Sequence, residues 1–334
     1  MNRVLICLLG WVALMIFSCQ QGPDAPREEV VIPVFNFPRT VVFEQNLSAY
    51  GIFEGPAADL TPGEDFHLLE LSAVLFTDYA HKQRLVKLPE GTQMVRREDG
   101  SIDFPNGTIL TKTFFYYLDE RNPNLGKRII ETRLLIKEEE TWNVATYLWN
   151  QAQTEASLTI NGLETELSWI AEDGTQLSTQ YQVPSENDCK TCHQSNARMS
   201  PLGPSLRNLN RQVDRNGISL NQLSHLQDQG VLNDFEVSQI PQMVNYKDVA
   251  APLEARGKAY LAMNCAHCHH PEAWEASAER DFDLRYETPI DQSGIIYEKE
   301  KIVEALVSGE MPFIGTTLLD QEGISLIMEF VESL

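Results

Sequence analysis

The chain has 334 residues, 43% of them hydrophobic, which is enough to bury about two ordinary cores. Its formal net charge of -22 argues against a nucleic-acid partner, because phosphate backbones are bound by clustered Lys and Arg side chains. The composition predicts a globular protein of about two domains, with an acidic surface suited to a basic partner.

The N-terminal residues carry an export signal. A short basic start precedes an apolar run over residues 4–17, which is too short to span a bilayer and is typical of a secretory signal peptide. The run ends in Ile-Phe-Ser-Cys, which resembles a lipoprotein cleavage box. We predict a lipoprotein signal peptide over residues 1–18, a lipidated Cys19 and a polar tether over residues 19–29. An uncleaved anchor and soluble secretion are the alternatives.

Residues 30–184 carry the pattern of an antiparallel β domain. Alternating apolar and polar runs are separated by turn dipeptides, and Asn-Gly and Asp-Gly are the strongest local hairpin signals. These dipeptides lie at Asn106-Gly107, Asn161-Gly162 and Asp173-Gly174. We predict an antiparallel β-sandwich or meander over this range.

From Pro184 onward the apolar periodicity is helical. Ser219 is the expected N-cap of one helix, Pro252 lies at the expected first turn of another, and residues 320–334 place apolar side chains on one stripe. The predicted fold class is therefore α+β and multidomain, with a β domain followed by a mostly α-helical region.

One pattern, Cys-x-x-Cys-His, occurs twice, at residues 189–193 and 265–269. It is the signature of c-type haem attachment, because two thiols at this spacing add across the haem vinyl groups and the histidine then binds the iron. With Cys7 in the signal peptide and Cys19 lipidated, no cysteine is left for a framework disulfide. We predict two covalently attached c-type haems, held by Cys189, Cys192, Cys265 and Cys268, with His193 and His269 as iron ligands.

Other uses of the four cysteines are less consistent with the sequence. A tetrahedral zinc site would need no histidine, and its two cysteine pairs usually lie much closer together in sequence. Local disulfides or thioredoxin-like redox pairs would need a βαβ context that the pattern lacks. Haem at the second motif alone is a further alternative.

Met311, in the segment SGEMPFIG, is the candidate outer ligand of the second iron. For the first iron, Met199 lies only six residues after His193, about 21 Å of extended chain, which is too short to pass round the haem edge. Four later or earlier residues stay open as the outer ligand of the first haem: His225, Met243, His67 and His81.

Residues 252–334 resemble the class I cytochrome c domain, in which one helix enters the haem motif and a methionine loop and a closing helix follow. By that resemblance His269 and Met311 are the axial ligands. The whole chain resembles a family of exported bacterial dihaem c-type cytochromes, on segments such as FPNGTILTKTFFY, YQVPSENDCKTCH and AYLAMNCAHCHHP. Together these resemblances divide the mature chain into a β-rich domain at 30–184, a first haem-binding segment at 185–251 and a class I cytochrome c-like domain at 252–334.

The sequence therefore predicts a membrane-tethered dihaem cytochrome that transfers electrons between periplasmic or membrane redox proteins, at the periplasm or cell surface. It is expected to be an electron carrier rather than a catalyst, since no acid-base or nucleophile constellation is visible. A dihaem peroxidase-like enzyme with an open first haem is one alternative. A haem-linked ligand-binding module, using strand aromatics such as Trp142, Trp149 and Trp169, is another.

Overall fold

The computed structural model describes residues 33–37, 39–196, 198–273 and 282–334. The predicted signal peptide, Cys19 and the tether lie outside these residues. Residues 34–334 belong to one compact unit. No helix in the described part of the chain has the length and apolar character required to cross a bilayer.

A six-stranded antiparallel sheet is the largest element of this unit. In spatial order its strands are β1 (His67–Leu68), β2 (His81–Lys87), β5 (Ile109–Tyr117), β6 (Lys127–Glu138), β7 (Thr141–Trp149) and β8 (Ala156–Thr159). A short hairpin of β3 (Val95–Arg96) and β4 (Ile102–Asp103) interrupts the connection from β2 to β5. Otherwise sequential strands pair directly, so the sheet is a meander.

The two faces of this sheet are buried against different parts of the chain, because successive side chains of a strand point to opposite sides. On one face Leu85, Leu134 and Tyr147 pack with side chains from residues 43–66. On the other face Val86 and Leu135 pack with a cluster drawn from residues 189–240. The second face therefore receives the first Cys-x-x-Cys-His motif.

A long hairpin leads into that motif. It consists of β9 (Asn161–Ile170) and β10 (Gln176–Ser185), and its Trp169 and Tyr181 pack on Phe114 of the main sheet. Helix α1 (Glu186–His193) begins immediately after β10. Ser185 and Asp188 form a capping box that starts the helix directly after the strand.

Short elements fill the next part of the chain: β11 (Gln194–Ser195), β12 (Arg198–Met199), α2 (Leu206–Leu209), β13 (Gln212–Arg215), β14 (Ile218–Asn221) and α3 (Gln222–Asp228). Ser219 lies in β14 and is not the N-cap of α3. The Asn221 side chain takes that role by accepting from the backbone N–H groups of Leu223 and Ser224, at 2.9 and 3.3 Å.

Three longer helices follow: α4 (Leu253–Asn264), α5 (Lys299–Val307) and α6 (Gln321–Glu332). Helices α4 and α6 cross where each presents a glycine to an aromatic ring of the other. A Cβ atom on Gly257 would lie 2.4 Å from Phe330 Cγ, and one on Gly323 would lie 2.3 Å from the Tyr260 ring. The two glycines therefore allow the close approach that fixes the helix preceding the second motif.

The predicted fold class is wrong. Helix accounts for 23% of the structure, which is mostly β, and the described residues after the sheet do not form a predominantly α-helical cytochrome c region. The helical periodicity at residues 253–264 and 321–332 is genuine, but turns and irregular backbone occupy most of residues 282–298, and two small hairpins occupy residues 194–221. The prediction was wrong because the helical periodicity of these two short helices was taken to hold for the whole chain after Pro184.

The C-terminal helices also do not stand apart from the sheet. Buried Asp78, in the loop before β2, accepts hydrogen bonds from the backbone N–H of Thr317 and of Leu318, at 2.7 and 2.8 Å, and from the Thr317 hydroxyl. Asn264 at the end of α4 accepts from the backbone N–H of Phe76 at 2.7 Å. The loop before β2 is thus a shared support for both halves. The predicted internal boundaries near residues 184 and 251 stay predictions.

Candidate functional site

The first motif lies on helix α1 with its leading cysteine turned toward the sheet. Cys189 is 5% exposed, and its Sγ lies 3.8 Å from the Thr146 hydroxyl on β7. Burial raises the pKa of Cys189 to about 11, so the sulfur is a thiol at neutral pH. Both cysteines of this motif are free of disulfides in the structure.

The imidazole of His193 is held by the loop that follows α1. Its Nδ1 lies 2.8 Å from the Ser200 carbonyl oxygen, and the Ser200 N–H in turn donates to the His193 carbonyl at 2.7 Å. A carbonyl can only accept, so Nδ1 carries the proton and Nε2 keeps its lone pair for a metal. Burial lowers the pKa of His193 to about 3, which keeps the ring neutral, as a ligand must be.

His193 lines a cavity on the second face of the sheet. The cavity has a volume of about 50 Å³ and is partly open to solvent, so it is smaller than the cofactor and small-molecule sites of most proteins. Much of its wall is apolar, formed by leucines, prolines and a valine: Leu69, Leu110, Leu135, Val144, Pro201, Leu202 and Pro204. The remaining charged wall consists of three basic side chains, Arg84, Lys112 and Arg133.

The three basic residues form a continuous row across the sheet. Arg84 on β2 is the cross-strand partner of Lys112 on β5, and Lys112 is the partner of Arg133 on β6. Arg133 in turn pairs with Thr146, the residue that contacts Cys189. Like charges in directly opposite positions destabilise a sheet, so this row is costly unless an anion compensates it.

Only one member of the row has an acidic partner among the described residues. Arg133 makes a two-pronged ion pair with fully buried Glu131, with N···O distances of 2.5 and 3.0 Å, and Tyr181 donates to the same carboxylate at 2.6 Å. Burial by itself would lower the pKa of Arg133, but Glu131 raises it above its usual value. In the described part of the chain no carboxylate forms an ion pair with Arg84 or Lys112.

The second motif forms a turn at the end of α4. The backbone N–H of Cys268 and that of His269 both donate to the Cys265 carbonyl, at 3.0 and 2.9 Å. The His269 ring meets Phe282 edge to face, with 5.7 Å between ring centroids. Burial raises the pKa of Cys265 to about 12. The structure describes nothing between residues 274 and 281, next to this motif.

The two motifs meet. Sγ of Cys192, Sγ of Cys268 and a ring nitrogen of His267 all lie within 4.8 Å of one another. A hydrogen bond to Cys268, together with burial, raises the pKa of Cys192. The loops behind the motifs are joined as well, since the Asn196 N–H donates to the Glu272 carbonyl at 3.1 Å. No local pattern indicated this contact, because 71 residues lie between the motifs and their pairing depends on the tertiary fold.

The candidate outer ligands occupy varied positions. Met311 is half-buried in the C-terminal apolar cluster that also includes Cys265, and its N–H donates to the Ala305 carbonyl. Met199 and Met243 are buried core residues. His81 hydrogen bonds to Glu120 at 3.0 Å and stacks on Phe115, and burial and nearby His225 lower the pKa of His67.

The strand aromatics do not form an exposed binding face. Trp142, Trp149 and Trp169 are each no more than 8% exposed, and Phe114 and Tyr147 are fully buried. They fill the space between the sheet and its covering layers, as aromatic residues in strands commonly do. The interpretation of these side chains as a ligand-binding surface therefore loses its basis.

Sequence reasoning missed several residues of the site. Ser200 acts through its carbonyl, which leaves no trace in side-chain chemistry. Arg84 and Lys112 stand in the alternating runs HKQRLVK and LTKTF, so their strand faces were readable, but their alignment depends on register.

The residues present fit a haem at the first motif. A c-type haem needs two thiols, a neutral imidazole with a free nitrogen, an apolar wall and cations for its carboxylates. The imidazole, the apolar wall and the cations line the cavity, and Cys189 contacts Thr146, the cross-strand partner of Arg133. Comparison with protein families, curated proteins and solved structures finds no match for this chain.

Proposed function

We propose that this chain is a dihaem c-type cytochrome that carries electrons between redox proteins. Cys189 and Cys192 hold one haem, Cys265 and Cys268 hold the other, and His193 and His269 bind the irons. The observation that carries the proposal is the repeated Cys-x-x-Cys-His pattern, with His193 lining the cavity and its Nδ1 bound to the Ser200 carbonyl, which leaves Nε2 for a metal.

Each bound haem would supply an iron that cycles between two oxidation states. The chain's own residues do the rest. The Ser200 carbonyl fixes the tautomer and plane of the His193 ring, and the leucines of the cavity limit access of water. Met311 is proposed as the outer ligand at the second motif; the outer position at the first motif is unassigned.

The proposal includes an exported, lipid-anchored protein at the periplasm or cell surface. Its support is the apolar run ending at Cys19 and the absence of a spare cysteine for a framework disulfide. The net charge of -22 favours redox partners with a basic docking surface.

Intact-mass measurement under denaturing conditions tests the proposal. The chain is produced with a working cytochrome assembly system, and we expect its mass to exceed that of the polypeptide and lipid by two haems. A Cys189→Ala/Cys192→Ala variant and a Cys265→Ala/Cys268→Ala variant should each lose one haem and keep the other. A mass equal to the polypeptide with its lipid contradicts the proposal.

A second candidate is a metal centre in place of the haems. The close approach of Cys192, His267 and Cys268 supplies two thiols and an imidazole, ligand types that zinc accepts, and would leave a fourth position open. Under this alternative, native mass spectrometry detects one metal ion that leaves on denaturation, and His267→Ala weakens its binding. Under the haem proposal, His267→Ala leaves the number of attached haems unchanged, because His267 is neither one of the four thiol residues nor an iron ligand.

A further inference from the structure

Two of the three basic side chains beside His193, Arg84 and Lys112, have no acidic partner among the described residues. Arg84 and Lys112 face each other across β2 and β5, line the cavity wall, and form no ion pair with a described carboxylate. The chain as a whole carries 48 acidic residues against 26 Lys and Arg, so unpaired cations gathered in one half-buried place are unexpected. Such a row calls for an anion from outside the polypeptide.

The surroundings add to the positive charge. Lys82 lies one step along the same face of β2, and its Nζ and that of Lys112 both lie over the Phe114 ring, 5.9 and 4.9 Å from the centroid. The nearest acid, Glu131, is already engaged by Arg133 and Tyr181. Burial and the neighbouring cations lower the pKa of Lys112 well below its usual range. A ligand carboxylate in the cavity would offset this repulsion.

The apolar wall beside the basic row indicates which class of anion the site would bind. Leu69, Leu110, Leu135 and Val144 form an apolar wall next to the row, and His193 adjoins it. Phosphate or sulfate would leave that wall exposed to water, whereas an apolar body that bears carboxylates satisfies both parts of the cavity.

We propose that Arg84, Lys112 and Arg133 form a carboxylate-binding site, and that in the mature protein its ligands are the propionates of the haem attached at Cys189 and Cys192. The second half of this inference rests on the proposed function. The row then sets which way round that haem lies, with its carboxylates toward β2 and β5, and it contributes positive charge next to the iron.

The test uses the full chain produced without haem attachment, and two porphyrins that differ only in charge. Protoporphyrin IX carries two free carboxylates, and its dimethyl ester carries none. We expect the diacid to bind more tightly, as followed by porphyrin fluorescence. Arg84→Gln or Lys112→Gln should lower the affinity for the diacid by about tenfold or more, since one charge-assisted hydrogen bond contributes roughly 1.5–3 kcal/mol.

Lys87→Gln is the matched control. Lys87 is on the same strand as Arg84 but on the opposite face, where it pairs with Asp65 at 2.8 Å. It removes one positive charge from β2 without touching the row, so diacid binding should be unchanged. The dimethyl ester should bind all variants alike.

Two results overturn the inference. Equal affinity for the diacid and the ester, or unchanged diacid affinity in both Arg84→Gln and Lys112→Gln, would mean that the row does not hold carboxylates. Succinate serves as a third probe: binding of succinate without binding of protoporphyrin IX would assign the site to free organic acids instead. These outcomes are independent of the mass measurement, which alone decides whether haem is attached.

Discussion

The two Cys-x-x-Cys-His motifs are identical in pattern and different in support. The first lies on a helix that follows a strand, packs on the main sheet, and has its imidazole oriented by the Ser200 carbonyl. The second lies in a turn after a helix, and its imidazole packs against Phe282. The same Cys-x-x-Cys-His pattern can therefore be held by a sheet or by a helix crossing, and the electrostatic surroundings of the two copies differ. We expect two haems in such places to differ in reduction potential, with the cationic row adjoining only the first.

The largest expected effect concerns the contact between the two motifs. Mild oxidation of the haem-free chain should link Cys192 to Cys268, because their sulfur atoms lie within 4.8 Å. Peptide mapping should find this link between motifs, and Cys268→Ser should abolish it while Cys265→Ser should not. Links within each motif, with none between them, would show that the motifs lie apart.

The outer ligand of the second motif offers the next largest effect. Met311→Ala in the matured protein should convert the second haem from low-spin to high-spin and lower its potential, since a thioether ligand favours the reduced iron. Absorption and paramagnetic resonance spectra measure both changes. Met328→Ala is the matched control, because Met328 packs against the same cluster on α6. An unchanged spectrum in Met311→Ala would remove Met311 from the ligand set.

The crossing of helices α4 and α6 should stabilise the second motif more than the first. Gly257→Val places new atoms where Phe330 already lies, and we expect the free energy of unfolding to fall by about 3 kcal/mol in urea titrations. Haem attachment at Cys265 and Cys268 should decline more than at the first pair. Glu254→Val puts the same side chain on an exposed position of α4 and should have a small effect. Equal losses in both variants would argue that the crossing is unimportant.

The smallest effect concerns the cationic row and pH. The pKa of Lys112 is lower in the folded protein than in the unfolded chain, so the unfolded state binds more protons between those two values. In the haem-free chain, Lys112→Met should therefore be more stable than the wild type near neutral pH. That advantage should shrink as pH rises through the folded-state pKa toward 10.5, by at most about 1.4 kcal/mol per pH unit. If the difference in stability between Lys112→Met and the wild type does not decrease with pH, the pKa of Lys112 is not lowered in the folded protein. Lys87→Met, on the opposite face, is the control.

Local signals predicted the strands better than their partners. The runs around Phe114, Leu134 and Ala145 form β5, β6 and β7, and Asp173-Gly174 joins β9 to β10. Asn161-Gly162 looked like another hairpin turn, yet β8 pairs with β7 in the main sheet and β9 pairs with β10. Gly162 is needed instead because a Cβ there would lie 2.9 Å from Ser185 N.

Some residues of the candidate site could be predicted from the sequence, and others could not. The thiols and imidazoles were readable because Cys-x-x-Cys-His is a contiguous pattern. The Ser200 carbonyl, the contact of Cys192 with Cys268 and the alignment of Arg84 with Lys112 depend on tertiary packing and strand register, which no short window encodes. The wrong fold class has the same origin, since helical periodicity in α4 and α6 says nothing about how much chain between them is helical.

Asp78 joins parts of the polypeptide that are made far apart in time. Its carboxylate is buried and is satisfied by donors at Thr317 and Leu318, almost 240 positions later. A nascent chain carries this carboxylate unsatisfied until Thr317 and Leu318 have been made. Products that stop short of Thr317 should therefore be recognised by quality-control proteases more readily than products that contain both donors.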